Sequence, residues 1–164
     1  MGGRFRNQAE AAIAAVAAVV LYTLLGRLHP SAVALVNAFS IAVVVIAFRR
    51  GETAGALVGT VCGLVQDSFT AGVFGLSGLT KTLLGFSTGY IARKIHLASF
   101  ARLFIFLFLA GFLEWLAWVG LYLLVFGERV YARNGLLFFQ PLATAAAGSL
   151  ILDVWRRIEQ RRAA

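Results

Sequence analysis

Two carboxylates and one ammonium group lie inside apolar runs of this chain, at Asp67, Glu114 and Lys81. Ionisable side chains in hydrocarbon are expensive, so each one raises the question of a functional site. A carboxylate pair suits proton transfer, but nothing in the spacing of Asp67 and Glu114 brings them together. Lys81 has two candidate partners, Asp67 and Glu114, and spacing does not choose between them. The three define a possible intramembrane polar network. Other chemistries lack their residues. His29 and His96 fall at span boundaries on opposite sides of the membrane, so they cannot share a serine–histidine couple or a metal site. Cys62 is the single cysteine; it excludes an intrachain disulfide and a cysteine-based zinc site, and reads as a small buried hydrophobe. No HExxH, Walker loop or GxSxG occurs. The expectation is a chain that is not an enzyme and holds no metal or cofactor.

Membrane helices must position these groups. Of 164 residues, 60% are hydrophobic and 13% charged, and mean hydropathy is +0.85. A soluble domain has about 45–50% apolar and about 25% charged residues. Long apolar runs predict an all-α, polytopic bundle of six spans in one membrane domain, at about 8–28, 32–48, 53–69, 75–91, 100–126 and 136–154. Arg4 and Arg6 before an alanine-rich run mimic a signal peptide, but that run is as long as a full span and reads as a retained helix. Pro30 suits the first turn of the second helix.

The net charge of +8 belongs to the loops and termini, with no basic stripe that would suit nucleic acid. Six spans put Arg4, Arg6, Arg49, Arg50, Arg93, Lys94, Arg102, Arg156, Arg157, Arg161 and Arg162 on one side, against Arg27, Arg129 and Arg133 on the other. That asymmetry places both termini in the cytoplasm. Residues 93–104, with His96, form either a short loop or a segment lying along the cytoplasmic interface. No gap leaves room for a soluble module.

Gly51, Gly55, Gly59 and Gly63 recur every four residues and Asp67 continues the spacing. On a helix this is one small-residue stripe, which lets another backbone approach closely. Gly78, Gly85 and Gly89 form a less regular counterpart on the fourth span. The third and fourth helices are therefore expected to pack tightly, with Asp67 and Lys81 as a polar lock at their junction. Gln66, Ser68, Thr70, Ser77 and Thr80 would satisfy backbone groups where the Gly-rich turn opens the helix.

The stretch "GALVGTVCGLVQDSFTAGVFGLSGLTKTLLGFSTGY", residues 55–90, resembles the core of the MreD family. The likeness lies in the glycine-spaced helix running into "GLVQD", the spaced glycines that follow, Lys81-Thr82, and "G…GY". It implies a scaffold of the bacterial cell-elongation machinery in the inner membrane. Its partner would be MreC, and through it the actin-like MreB, the peptidoglycan polymerase RodA and RodA's transpeptidase partner. It also implies a fold similar to the substrate-binding membrane subunits of vitamin transporters. The resemblance carries Gly63, Gln66, Asp67, Gly72, Gly75, Gly78 and Lys81 over as motif matches; with Gly55 and Gly59 from the stripe, they are assigned to helix packing or partner contact. The alternative is a solute-binding transporter subunit, with Asp67, Lys81, Glu114, Trp115 and Trp118 lining a mid-membrane cavity. A lipid or precursor flippase draws no specific support.

Overall fold

A computed structural model describes residues 2–28, 35–69, 74–94, 99–127 and 139–163. His29, Pro30, Gly72, His96, Glu128, Arg129 and Arg133 lie outside them, as do the predicted starts of the second and sixth spans. The described residues contain six helices and no strand: α1 (Gly2–Leu28), α2 (Ala38–Arg50), α3 (Glu52–Phe69), α4 (Leu76–Lys94), α5 (Phe100–Phe126) and α6 (Gln140–Ala163). One of them, α5, is long and apolar enough by itself to cross a membrane, with mean hydropathy 2.0 over Phe100–Val125.

The second predicted span is not one helix. Leu35 is helical, Val36 and Asn37 are not, and α2 begins at Ala38. Asn37 is the reason: its side chain accepts from the Ser40 N–H at 3.2 Å, the bond expected of an N-cap asparagine. Its own N–H is taken by Thr144 Oγ1 on α6 at 3.1 Å, so the break leaves no orphaned donor there. The sixth helix runs past its expected end, because "DVWRRIEQRR" continues a helical pattern beyond the apolar run.

α2 is the central helix. Phe39, Val43, Ile46 and Ala47 are buried, and α2 touches α1, α3, α4 and α6. Tyr22 of α1 stacks near Phe39 and Phe69, with ring centroids 5.4 and 5.5 Å away. Phe48 meets Phe106 of α5 edge-on at 5.7 Å, and Arg49 lies over the Trp155 ring of α6 at 4.4 Å. Consecutive helices therefore alternate in direction, gathering the ends of α2, α4 and α6 with the starts of α3 and α5.

The tightest contact is between α3 and α4. A methyl group at Gly59 would land on the Lys81 carbonyl; at Gly55 it would meet the Gly85 carbonyl, and at Gly63 the Ser77 carbonyl and Gly78. Gly89 faces Gly51 and Glu52 in the same way. The two backbones touch directly, as a small-residue stripe permits. Thr60 and Thr82 hydroxyls bridge the seam at 2.7 Å. Gly51, at φ +88°, turns the corner between α2 and α3, a conformation that L side chains rarely adopt. Arg93 clasps that corner, donating to Glu52 Oε1 at 2.9 Å and to the Arg50 carbonyl at 3.4 Å. The Arg93 side chain is mostly exposed, so this clasp adds little stability.

Candidate functional site

At the end of the bundle away from Arg93, α4 starts with a gap in its own capping. Gly75 precedes it at φ +100°, a value that favours glycine and thus leaves no side chain to accept from the first turn. Asp67 supplies the missing acceptor from the last turn of α3. Its carboxylate accepts from the N–H groups of Gly75 at 2.8 Å, Ser77 at 3.2 Å and Gly78 at 3.3 Å. Asp67 is buried, and the positive end of α4 is where a buried carboxylate is best compensated. The residue therefore caps a neighbouring helix across the turn. Asp67→Ala is expected to cost about 0.5–2 kcal/mol, the loss of a cap. Asp67→Asn keeps one acceptor and should lose less. Thermal midpoints of the purified variants in detergent measure both.

Lys81 engages Glu114 of α5, not Asp67. The side chain of Lys81 is 2% exposed and that of Glu114 is 11% exposed. Ser40 of α2 closes the group: its hydroxyl accepts from Lys81 Nζ at 2.9 Å and donates to the Glu114 carboxylate at 2.8–2.9 Å. Three helices, α2, α4 and α5, are thus tied at one buried point. The polar network expected of Asp67, Lys81 and Glu114 divides into two separate devices, a cap and an ion pair.

Ser40 and Asn37 carry no mark of function in the sequence reading. The available signal was local: an asparagine within an apolar run, three residues before a serine, is an N-cap pattern. Once α2 starts at Ala38, Ser40 falls in its first turn, beside Glu114 of α5.

Ser40 and Lys81 stand side by side as a Ser–Lys nucleophile and base would, but both are also engaged by the Glu114 carboxylate, to which the Ser40 hydroxyl donates. Lys81 and Glu114 border a cavity of about 70 Å³ that also touches Trp115, Trp118, Gln66 and Thr144. Asp67 does not line it. Ligand sites are usually about 300–1,000 Å³, whereas a small polar cavity suits a few ordered waters.

The remaining candidates fall into packing. Gly55, Gly59, Gly63 and Gly78 face across the α3–α4 seam, so that stripe is covered within the chain and does not offer itself to a partner. Gly75 serves the turn. Cys62 is buried in the same core. Among the described residues no cluster of histidine, cysteine and carboxylate groups suits a metal. Compared with protein-family models, curated proteins and solved structures, the chain matches none.

Proposed function

We propose that this chain is a multi-pass membrane protein with six spanning helices and both termini in the cytoplasm. Within it we propose a non-enzymatic, MreD-like scaffold of cell-wall elongation that binds an MreC-type single-span partner in the bacterial inner membrane. The observation that carries the membrane reading is an inverted distribution of polarity. Lys81, Asp67, Thr80, Thr88 and Ser149 are buried, while Ile13, Leu57, Leu113 and Leu124 are 67%, 64%, 63% and 82% exposed. Water disfavours both features, and soluble monomers rarely leave so many large apolar side chains exposed. Hydrocarbon suits it, since apolar flanks face lipid and polar groups pair within the bundle.

Helix lengths are compatible with that placement. α3 has 18 residues and α4 has 19, about 27–29 Å at about 1.5 Å per residue, close to a core of about 30 Å. α2 has only 13 residues, but other helices cover it, and irregular backbone at membrane depth is tolerated where protein surrounds it. Arg49, Arg50, Arg93, Lys94 and Arg102 gather at one end, which the positive-inside rule assigns to the cytoplasm.

The scaffold reading rests on the resemblance of residues 55–90, and the internal roles of those residues support it. Asp67, Gly75, Gly78 and the glycine stripe build a rigid helix pair without a nucleophile and base. Because the stripe is covered, partner contact falls to the exposed apolar flank of α5, which includes Ile105, Leu109, Leu113 and Leu124. The solute-binding alternative keeps one favourable observation, the convergence of Lys81, Glu114, Trp115 and Trp118 on one cavity, and its volume argues against a solute of vitamin size.

Depletion in a rod-shaped host distinguishes the readings. The expected result is rounding of the cells, with MreC recovered alongside the tagged chain. Normal rods with impaired uptake of a small nutrient would overturn the scaffold reading.

A further inference from the structure

A second cavity adjoins the Lys81–Glu114 site and shares Thr80 and Glu114 with it. It is an open groove of about 550 Å³ between α4 and α5, walled by Leu83, Leu84, Ile91, Phe106, Leu109 and Leu113, among others. Its lining is mostly apolar, with the Glu114 carboxylate toward one end and the hydroxyls of Thr80, Ser87 and Thr88. One of these, Thr88, belongs to a residue 1% exposed, and its Oγ1 finds no hydrogen-bond partner among the described residues.

We propose that this groove binds one acyl chain of an anionic glycerophospholipid of the cytoplasmic leaflet, with the lipid phosphate held between Lys94 and Arg102. The proposal rests on the membrane placement argued above; Leu109 and Leu113 of its α5 wall also belong to the flank proposed for partner contact, so lipid and partner compete for that stretch of α5.

Three observations select this occupant. The first is length. From Thr80 to Ile91 the α4 wall runs about 16 Å, and from Phe106 to Ala117 the α5 wall runs the same, at about 1.5 Å per residue. That is half of a hydrocarbon core of about 30 Å, one leaflet deep. A spanning partner helix needs the whole thickness, so the groove is too short to seat one along its length.

The second is charge. Arg102 lies one turn before Phe106 on the same face of α5, and Lys94 lies one turn beyond Ile91 on α4. Both are exposed, and Lys94 stands over the Tyr90 ring at 4.1 Å. Basic side chains thus flank the cytoplasmic mouth, where anionic headgroups attract them.

The third is Thr88. It lies about 9 Å along the helix axis from Lys94, comparable with the interfacial layer, roughly 5–8 Å thick on each side of the core. Ester carbonyls occupy the inner edge of that layer. Thr88 lines the groove with a buried hydroxyl that lacks a partner among the described residues, and a lipid ester carbonyl reaching that depth would supply its acceptor.

The test uses the full-length chain in vesicles of phosphatidylethanolamine and phosphatidylglycerol, extracted into mild detergent and weighed by native mass spectrometry. One phosphatidylglycerol should be retained in preference to phosphatidylethanolamine. Lys94→Glu with Arg102→Glu should weaken retention on the order of tenfold or more. Thr88→Val, nearly isosteric, should weaken it about threefold to tenfold. Ala110→Trp, which fills the groove from its α5 wall, should abolish it. Equal retention of both lipids overturns the proposal, as does phosphatidylglycerol retention that survives Ala110→Trp. If Ala110→Trp instead removes a co-purifying single-span protein and leaves lipid retention intact, the groove is a helix seat and the lipid proposal falls. An alkaline carbonate wash of the same membranes separates the two readings. A wild-type chain that washes off defeats the membrane placement and this proposal together, whereas one that stays but retains no lipid defeats this proposal alone.

Discussion

Replacing Glu114 alone with leucine is expected to destabilise the protein by about 3–5 kcal/mol, because it leaves the Lys81 ammonium buried without its counter-charge. Lys81→Met should cost a similar amount, leaving the carboxylate with only the Ser40 hydroxyl. The double variant Lys81→Met with Glu114→Leu should recover most of the loss, since apolar replacement of both members of a buried pair is often neutral. Ser40 can then return its hydroxyl to a carbonyl of its own helix. Unfolding in detergent, followed across the complete double-mutant cycle, measures the coupling. The same double variant also separates structure from function in cells. Under the proposed scaffold function, a pair that only locks α2, α4 and α5 together should be dispensable once replaced by packed methyl groups, and rod shape should return. A stable double variant that fails to support rod shape would mean that the charges themselves are used.

Gly59→Leu should leave almost no folded protein. Even Gly59→Ala places a carbon on the Lys81 carbonyl, so α3 and α4 must part. Overpacking a well-packed core by a methylene costs about 1–3 kcal/mol where side chains can adjust; backbone on both sides has no rotamer to change, so the upper end or more applies here. The matched control is Gly120→Ala on α5, which meets nothing within 4 Å and replaces a poor helix former with the best. It should be neutral or stabilising. Size-exclusion profiles and thermal midpoints of the three variants give the comparison. If Gly59→Leu folds normally and loses only its partner, the stripe is a docking face and the internal seam is wrong.

The parts of this fold that were legible in the sequence are those written into a single helix or a single turn. The four-residue glycine spacing reads directly as one helical face, and its counterpart on the next helix points to where it packs. The helix starts and stops near "RRG", "RK" and the long run 100–126 follow from the same local signals. The break at Val36–Asn37 was equally local, but the apolar run around it masks the asparagine, and an unbroken span is the simpler reading of hydropathy. The extension of α6 past Val154 was missed for a related reason. Hydropathy marks where a helix leaves hydrocarbon, not where its hydrogen bonds end.

The candidate site divides along the same line. Sequence alone determined that Asp67, Lys81 and Glu114 are buried charges that need compensation, because no solvated face is available to them within apolar runs. Which compensation each receives depended on tertiary structure. Asp67 and Lys81 lie close in the chain, so an ion pair between them was one open reading, with Glu114 the rival partner. The Gly75 turn, however, directs the first N–H groups of α4 at Asp67, and those donors satisfy it without a cation. Lys81, one turn further along α4, reaches Glu114 and Ser40, groups brought to it by α5 and α2. Residue types set the cost of each charge; only the packing of separate helices supplied the partner that offsets it.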